Sequence, residues 1–541
     1  MTPRDLGLPA KFVEFRESQL RKLEELLRVD STFNGLNLPT GFGKTSFYVG
    51  YSRILSIDRG RPVRTVILTG TKALQDQISH EFKSMGLADI RGRNNYRCPL
   101  HGTCDRGHEY ECYLSTTLGC KYTAHVDAAT RSELISANYS YWLSARNNSP
   151  TALEPKSGLA PIDLLICDEA HQIFDELARH LSIHIPYEWC GHFPLHDKDD
   201  AALVGTQDRV DSISSWVDVK LIDVKRAQAG YEDLPNYTHN REWMQLERLR
   251  MEFRRLKAIN SNWIYRAHDS KPTDPVSGMD FDCLWPGPYA NRLWSNVPKV
   301  VLVSGTLTPY SMRLNGVPSD AFYTYEKSTF PANRCPIIHV PTVKLNHAST
   351  DADYRAIINR VDEITGGRLD RKGIIHTVSY DRAATLIKYS KYAQYMHSNK
   401  SSRNITDLIS TFKRAEPPAL LVGPSVTTGV DFPDTDAEYI IIIKVPYPDK
   451  SDILMKERCK SDKKYYTHVT VQTLVQMCGR GMRHEDDRCE VFIIDNSITL
   501  LKVMGSQYAP PGFFDSPRYR VSLAVPKPPP KLVLSNGLET N

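Results

Sequence analysis

The sequence predicts an α/β protein with two parallel-sheet domains and two insertions in the first of them. Its clearest feature is the stretch 164–169, where four apolar residues run directly into Asp168 and Glu169. Uninterrupted apolar runs are typical of strands buried on both faces of a parallel sheet, and such strands carry acidic side chains to the sheet edge. A glycine-containing loop at 40–45 and an arginine-containing segment at 476–483 are the other two observations. Together the three predict one nucleotide site shared by two domains.

Size and composition limit the class of protein. The chain has 541 residues, 41% hydrophobic and 24% charged, and a formal net charge of +5. This length allows three or four domains, and the composition is that of an ordinary globular protein. No run of 18 apolar residues occurs, and the N-terminus lacks the apolar core of a secretory signal. We therefore expect an intracellular protein, cytoplasmic or nucleoid-associated, with no membrane partner.

The loop at 40–45 has the residues of a phosphate-binding loop. Gly41 and Gly43 would let the backbone approach phosphate oxygens, Lys44 would bind the β- and γ-phosphates, and Thr45 would ligate Mg²⁺. The predicted ATP-binding residues of this loop are Thr40, Gly41, Phe42, Gly43, Lys44 and Thr45. Upstream, Gln19 opens an amphipathic helix, and its amide could read the adenine edge. The alternative for the loop is a glycine-rich turn with an exposed lysine.

The acid pair fits nucleotide hydrolysis. Asp168 would hold Mg²⁺ together with Thr45, and Glu169 would orient or deprotonate the attacking water. In the segment 476–483, the residues Gln476, Arg480 and Arg483 are spaced at i, i+4 and i+7, which predicts one helical face carrying an amide and two guanidiniums. The two arginines are candidate fingers that neutralise charge on the transferred phosphoryl group. A surface helix with harmless arginines is the alternative.

Thr71 and Lys72 follow a predicted buried strand and open a helix. Hydroxyl and amide groups at a helix N-terminus suit the backbone phosphates of a nucleic-acid strand, although a capped helix explains them equally well. Basic and aromatic residues around the cysteine-rich segment fit a wedge or a single-strand guide: Arg91, Arg93, Tyr96, Arg97, Lys121 and Tyr122.

At this point the sequence resembles the XPD/DinG-type helicases, the iron–sulfur branch of superfamily 2. The likeness covers roughly residues 12–500 and is carried by collinear motifs at 91–98, 136–139, 303–309, 373–380, 427–432 and 444–448. The resemblance implies two RecA-like motor domains that use ATP and Mg²⁺ and act on single-stranded and tailed duplex DNA with 5′-to-3′ polarity. It also implies ATP-binding roles for Gly429 and Asp431, and DNA-binding roles for Ser379, Tyr380 and Thr427.

Four cysteines lie close together in the chain. Cys98, Cys104, Cys112 and Cys120 are separated by five, seven and seven residues. Four thiolates suit either a [4Fe–4S] cluster or tetrahedral Zn²⁺, and the missing Cys-x₂₋₄-Cys pair favours iron–sulfur, as does the family resemblance. Zinc, structural thiols without metal, and ligation by His101 or His108 stay as alternatives.

The sequence predicts these domain boundaries: a first motor domain at 1–193 with the cysteine-rich insertion at 91–125, a helical arch-like insertion at 194–285, the remainder of the first domain at 286–342, a second motor domain at 343–524, and a flexible proline-rich tail at 525–541. Apolar stripes ending at Val224 and Leu256 predict two antiparallel helices in the arch-like insertion, with no strand nearby. The second helix carries an arginine run, which is more often a solvated face than a binding surface.

The resulting expectation is an ATP-dependent DNA helicase that moves along single-stranded DNA. Two alternatives stay open. One is an ATP-switched clamp or remodeller that binds single strands without unwinding duplexes, and the other is an RNA helicase with the same acidic motif. Stimulation by DNA against RNA, and unwinding of tailed duplexes, separate them.

Overall fold

A computed structural model gives the structure of the chain, except at residues 1, 99–101, 103, 105–118, 148–160, 187–208, 236, 238–239, 268–277, 329, 347, 400–404, 425–431, 433, 483–486 and 530–541. The strands are β1 (Phe33–Asn37), β2 (Thr65–Thr69), β3 (Ala88–Asp89), β4 (Leu134–Asn138), β5 (Leu164–Asp168), β6 (Ile183–Pro186), β7 (Trp263–Ala267), β8 (Gly278–Cys283), β9 (Lys299–Ser304), β10 (Phe322–Tyr325), β11 (Ile337–Val343), β12 (Lys372–His376), β13 (Met396–His397), β14 (Ala419–Gly423), β15 (Tyr439–Ile442), β16 (Glu490–Asp495) and β17 (Tyr519–Val521).

The helices are α1 (Glu17–Arg28), α2 (Lys44–Asp58), α3 (Lys72–Glu81), α4 (Lys121–Arg131), α5 (Tyr139–Asn147), α6 (Ile173–Leu181), α7 (Arg209–Ala229), α8 (Arg241–Leu256), α9 (Asn291–Trp294), α10 (Pro309–Leu314), α11 (Asp351–Gly366), α12 (Tyr380–Tyr389), α13 (Ile405–Arg414), α14 (Ile453–Ser461), α15 (Lys463–Cys478) and α16 (Ser497–Gly505). In this part of the chain no helix is both long and apolar enough to cross a lipid bilayer.

Two parallel sheets organise the chain, so the predicted α/β class is confirmed. The first has the order β10-β1-β9-β5-β2-β4-β3 and forms the core of lobe 1, and the second has the order β13-β14-β12-β15-β16-β11-β17 and forms the core of lobe 2. Strand β5 shows why the apolar run exists: Leu164 and Ile166 pack in the core on one face, and Leu165 and Cys167 pack in the core on the other. Helices cover both faces, as a parallel sheet requires.

The strand order brings the chemistry-bearing residues of lobe 1 to one edge. Strands β1, β5 and β9 are adjacent and parallel, with Leu36 paired to Val303 and Asp168 paired to the same Val303. Their carboxyl ends therefore place the loop after β1, Asp168 and Ser304 side by side. This edge is where open parallel sheets bind ligands.

An insertion between α6 and α9 contains the two predicted helices. Two contacts show that α7 and α8 run antiparallel. Gln228, near the end of α7, donates to Glu247 of α8 (2.9 Å), and Lys257, just after α8, contacts Asp218 in the middle of α7. They pack on a three-stranded antiparallel sheet in the order β6-β8-β7. β7 was missed in the sequence because its five residues mix polar and aromatic side chains without a clean alternation. The domain boundaries themselves stay predictions.

The chain after β17 differs from the flexible tail that was predicted. Val525 packs against the core of lobe 2, and Arg368 donates to the Pro526 carbonyl oxygen (3.1 Å). Arg371 donates to the Pro529 carbonyl oxygen. Residues 525–529 are therefore docked, because two buried guanidiniums need acceptors. The rest of the predicted tail lies outside the described residues.

Candidate active site

The phosphate loop has the backbone shape that its glycines predict. Gly41 and Gly43 both have φ of +80°, a left-handed conformation that favours glycine, and α2 begins directly afterwards at Lys44. A Cβ built on Gly41 would lie 2.2 Å from the ring of Phe330, in the segment that joins the two lobes. The loop is thus closely covered, and a side chain at either position would displace its neighbours.

Gln19 contacts the phosphate loop rather than open space. Its Nε2 donates to the carbonyl oxygens of Phe42 (2.9 Å) and Gly43 (3.1 Å), and its Oε1 accepts from the Arg16 backbone amide (2.9 Å). The guanidinium of Arg16 donates to the Gly41 carbonyl oxygen. Nε2 braces the loop and Oε1 caps the start of α1, so both amide atoms of Gln19 are engaged and its predicted contact with adenine stays a prediction. The role of Arg16 had no sequence signal beyond its place before the helix.

The acid pair lies opposite Lys44. The Nζ atom of Lys44 is 3.7 Å from Oε1 of Glu169, and both side chains are partly exposed. Asp168 is only 2% exposed, and it accepts hydrogen bonds from the Tyr48 hydroxyl (3.2 Å) and the Glu169 backbone amide (2.9 Å). Burial, together with the neighbouring Glu169 charge, raises the pKa of Asp168 to about 6.

Tyr48 joins the two predicted Mg²⁺ ligands. Its hydroxyl contacts the Asp168 carboxylate and is also hydrogen-bonded to the Thr45 side chain. Burial and the Asp168 charge raise the pKa of Tyr48, so it stays a neutral donor. A buried carboxylate beside a second acid and a hydroxyl is a donor set that a hard divalent cation fits, because the cation would offset the charge that burial penalises.

A polar chain links Glu169 to the end of β9. The backbone of Glu169 is left-handed (φ 49°), which turns its carboxylate toward His171, 3.2 Å from Nδ1. The same Nδ1 lies 2.9 Å from Oγ of Ser304, and that hydroxyl accepts from the Thr306 backbone amide (3.2 Å). The structure thus connects Ser304 and Thr306 to the acid pair through His171.

Lobe 2 contributes Arg480 to the same site. Burial lowers the pKa of Arg480, and the Glu169 carboxylate across the cleft opposes this shift, so the two side chains are close enough to interact electrostatically. The neighbouring His376 is fully buried, and its pKa is lowered to about 3 by burial and by the Arg480 charge. Charged groups from both lobes therefore lie near one another here.

The predicted helical face of Gln476, Arg480 and Arg483 is wrong in one respect. α15 ends at Cys478, so Arg480 lies in the turn that follows rather than on the helix. Glycine explains the break: a Cβ on Gly481 would lie 2.4 Å from Sγ of Cys489 and 2.8 Å from a backbone oxygen. Gly481 thus packs closely against Cys489, the residue just before β16, in the turn that follows α15. Gln476 stays on the last turn of α15, half-buried.

Two candidate nucleic-acid residues, Thr71 and Ser379, cap helices. The Thr71 hydroxyl accepts from the Leu74 amide (3.3 Å) at the start of α3, which leaves Lys72 exposed. The Ser379 hydroxyl accepts from the Arg382 amide (3.3 Å) and guanidinium (3.0 Å) at the start of α12, next to the half-buried Tyr380. Both helices begin at the carboxyl end of a parallel strand, on the side of the sheet that carries the nucleotide residues.

Tyr96 does not offer a free ring to a base. It is 8% exposed, its ring meets Tyr122 and His125 edge-on, and its hydroxyl accepts from the Arg91 amide (3.2 Å). The more accessible aromatic side chain is Tyr122, which Arg93 covers at 4.3 Å. Stacking of a base at Tyr96 would require this cluster to open.

The described cysteines agree with thiolate chemistry but do not form a complete centre. Cys98 and Cys104 are both buried, and the Cys104 amide donates to the Tyr96 carbonyl oxygen (3.0 Å). Burial alone would raise the pKa of Cys120, but hydrogen bonds from Thr123 and the Tyr122 amide at the start of α4 outweigh it and lower the pKa. No three His, Cys, Asp or Glu side chains are grouped to hold a metal among the residues whose structure is given.

Five predicted site residues lie outside the described part of the chain: Cys112, Thr427, Gly429, Asp431 and Arg483. Their predicted roles stay predictions.

Two family models match the chain. One is described as a helicase C-terminal domain and matches residues 370–506, and the other is described as the res subunit of type III restriction enzyme and matches residues 12–188. The ATP-dependent DNA helicase chl-1 of Caenorhabditis elegans is 26% identical over 117 residues, a stretch that is 20% of this chain and only 14% of chl-1.

Solved structures show the same fold over nearly the whole chain. An XPD helicase superposes with a TM-score of 0.62 at 14% identity, covering 91% of this chain and 98% of its own. Xpd4 of S. tokodaii superposes with a TM-score of 0.57 at 15% identity, covering 94% of this chain and 100% of its own. At such identities the likeness concerns the fold.

The chain has two parallel-sheet lobes, with Lys44 and the acid pair on one and Arg480 on the other. The matched helicase C-terminal domain makes it a helicase. In fold it is similar to the XPD helicases.

Proposed function

We propose that the chain is an ATP-dependent DNA helicase that moves along single-stranded DNA, with 5′-to-3′ polarity, and unwinds tailed duplexes. The observation that supports this most is that Arg480 of lobe 2 lies close enough to Glu169 of lobe 1 for their charges to interact, with Lys44 beside Glu169. A site divided between two lobes lets a bound triphosphate stabilise one relative arrangement of the lobes, and hydrolysis release it.

Each residue near the cleft has a role that its environment suits. Gly41 and Gly43 present backbone amides to phosphate oxygens, and Lys44, now paired with Glu169, would exchange that partner for phosphate. Asp168 and Thr45 would hold Mg²⁺, which supplies charge neutralisation on the phosphates when bound. Glu169 would orient the attacking water, and Arg480 would stabilise the charge that develops on the transferred phosphoryl group.

Translocation would follow from the chain His171–Ser304–Thr306, which connects the acid pair to the carboxyl end of β9. Helix starts at Thr71 and Ser379 offer amides and hydroxyls, one on each lobe, to a strand that crosses both. Because the lobes approach and separate during each cycle, these two strand contacts, one on each lobe, would move one strand stepwise.

The first experiment measures nucleotide hydrolysis and strand displacement. Lys44→Ala should abolish ATPase activity, because the phosphates lose their cation, while Lys72→Ala should keep basal hydrolysis and weaken stimulation by single strands. Wild-type turnover in Lys44→Ala would contradict the assignment of the phosphate loop. Duplexes with 5′ or 3′ tails test polarity, and displacement of only the 3′-tailed substrate would overturn the proposed direction.

The same assays separate the alternatives. Hydrolysis stimulated by DNA without any strand displacement would favour a clamp or remodeller, and stronger stimulation by RNA would favour an RNA helicase. Binding to single-stranded DNA should weaken with salt, with a slope of about −0.7 per phosphate contact.

We also propose that Cys98, Cys104, Cys112 and Cys120 hold a [4Fe–4S] cluster. The lowered pKa of the Cys120 thiol supports the choice of a thiolate ligand. Anaerobically purified protein should be brown and contain iron and sulfide. A colourless preparation with stoichiometric zinc would replace the cluster with a zinc site.

A further inference from the structure

Direct interlobe contacts meet where α14 passes into α15. We call residues 461–463 the elbow. The Trp285 indole donates to the Ser461 hydroxyl (3.1 Å), and the Asp462 carboxylate accepts from the Tyr310 hydroxyl (3.0 Å) and the Arg313 guanidinium (3.0 Å). All three donors belong to lobe 1 or the base of its insertion. The elbow is therefore a point at which lobe 2 is fastened to lobe 1.

Asp462 performs two structural tasks with its two carboxylate oxygens. Oδ1 accepts from the Lys464 amide (2.9 Å) and caps the N-terminus of α15, while Oδ2 receives both donors from α10. The ion pair with Arg313 is partly exposed, with side-chain exposures of 65% and 22%, so its Coulomb energy alone contributes little. The contact matters because the Asp462 carboxylate fixes the first turn of α15 relative to α10.

Aromatic side chains make the attachment rigid. The Tyr310 ring lies 4.8 Å from the His468 ring and 5.0 Å from the Tyr508 ring, so a lobe 1 side chain is inserted into lobe 2. On the preceding helix, Arg458 donates to the carbonyl oxygens of Leu284 (2.9 Å) and Cys283 (3.2 Å). These contacts surround the elbow from both sides.

α15 connects the elbow to the catalytic arginine. It has 16 residues and is therefore about 24 Å long at 1.5 Å per residue. Val471, Leu474 and Met477 are buried in the core of lobe 2, so the helix moves as one body with that lobe. Arg480 follows its last residue by two positions. The direction that α15 takes at the elbow thus determines where Arg480 lies relative to Glu169.

We propose that Asp462 is a positioning residue: by fastening the start of α15 to Tyr310 and Arg313, it sets the pivot about which Arg480 swings into the nucleotide site. α10 follows the strand that ends at Ser304 and the segment containing Thr306, so the pivot is attached to the part of lobe 1 that is linked to the acid pair. This inference rests on the proposed function, since it assigns a role in nucleotide hydrolysis.

The test uses Asp462→Asn in the full chain. Asparagine caps helices about as well as aspartate, so α15 should still form, while the charge that holds Arg313 is lost. A misplaced catalytic group lowers the rate of the chemical step more than it weakens ATP binding, which the phosphate loop governs. We expect kcat for single-strand-stimulated hydrolysis to fall about tenfold with KM for ATP changed less than about twofold.

Three further variants give the test its direction. Arg313→Gln removes the same contact from lobe 1 and should reproduce the fall in kcat, which also covers the case in which Asp462→Asn folds poorly. Asp452→Asn is the matched control, because Asp452 caps α14 in the same way (2.7 Å to the Met455 amide) and its insertion partner Arg266 is 3.9 Å away. It should leave kcat near the wild-type value.

The decisive comparison is made with Arg480→Ala. If Asp462 acts through Arg480, adding Asp462→Asn to Arg480→Ala should lower kcat no further. An undiminished tenfold effect in that background, or a wild-type kcat in both Asp462→Asn and Arg313→Gln, would overturn the inference. An inactive wild-type chain would instead contradict the proposed function, so the two failures are distinguishable.

Discussion

Replacing Asp168 by asparagine should make the folded protein more stable. A pKa of about 6, in place of the usual 3.8, corresponds to an unfavourable free energy of about 3 kcal/mol for the charged form at neutral pH. Asp168→Asn removes that charge and keeps most of the shape. One of its two hydrogen bonds, from Tyr48 or from the Glu169 amide, becomes poor, which offsets about 1 kcal/mol. The expected net gain is about 2 kcal/mol.

The stability gained by Asp168→Asn should increase with pH. Because the folded-state pKa of Asp168 lies above that of the unfolded chain, the penalty is small near pH 4 and grows until the pH passes about 6. Thermal unfolding of both proteins, without Mg²⁺ or nucleotide, should therefore show a small difference at pH 5 and a Tm about 4–8 °C higher for Asp168→Asn at pH 8. The variant should not hydrolyse ATP.

Asp163, one residue before β5, is the matched control. The Arg61 guanidinium and the Arg64 amide lower the pKa of Asp163, although burial opposes them, so its charge stabilises the fold above its unfolded pKa. Asp163→Asn should lower the Tm at pH 8. Two outcomes would show that burial is not the dominant influence on the pKa of Asp168. One is an Asp168→Asn protein no more stable than wild type at pH 8, and the other is a Tm shift in the same direction for both variants.

Two further changes test other contacts. Ser304→Ala removes the hydroxyl that joins His171 to Thr306. The rate of basal hydrolysis should change less than about threefold, while the rate of strand displacement falls at least about tenfold. Equal losses of both rates, measured on the same preparation, would contradict a coupling role for Ser304. Arg368→Ala leaves the buried Glu490 carboxylate without its bidentate partner (2.8 and 3.1 Å) and should lower the free energy of unfolding of lobe 2 by about 3–5 kcal/mol. Urea unfolding measures this, and a loss below about 1 kcal/mol would show that the pair is replaceable by water.

The sequence predicts the fold class and the local geometry of the lobe 1 loop and strands well, for a physical reason. Phosphate loops and buried strands are local features: the φ of Gly41 and the burial of Asp168 follow from residues within a few positions. The apolar stripes of α7 and α8 are equally local. These are the features that a sequence pattern specifies.

Contacts between distant segments were harder to predict. The helix expected to continue through Arg480 ends at Cys478, because Gly481 packs against Cys489, and no pattern within the helix shows that neighbour. Tyr96 is aromatic and follows basic residues, yet His125 and Tyr122 cover it. His171 follows the acid pair by two residues, and its hydrogen bond to Ser304 joins side chains 133 positions apart.

The proline-rich stretch after β17 illustrates how a segment without regular structure can complete a hydrophobic core. Proline lacks an amide hydrogen, so a proline-rich segment forms no regular backbone hydrogen bonds of its own. Its carbonyl oxygens stay available to donors from other parts of the chain. Arg368 and Arg371 use two of these oxygens. Shortening the protein at residue 524, where the pattern of strands and helices suggests a natural stopping point, would leave two guanidiniums short of acceptors. The second lobe should therefore be more stable when it extends through residue 529.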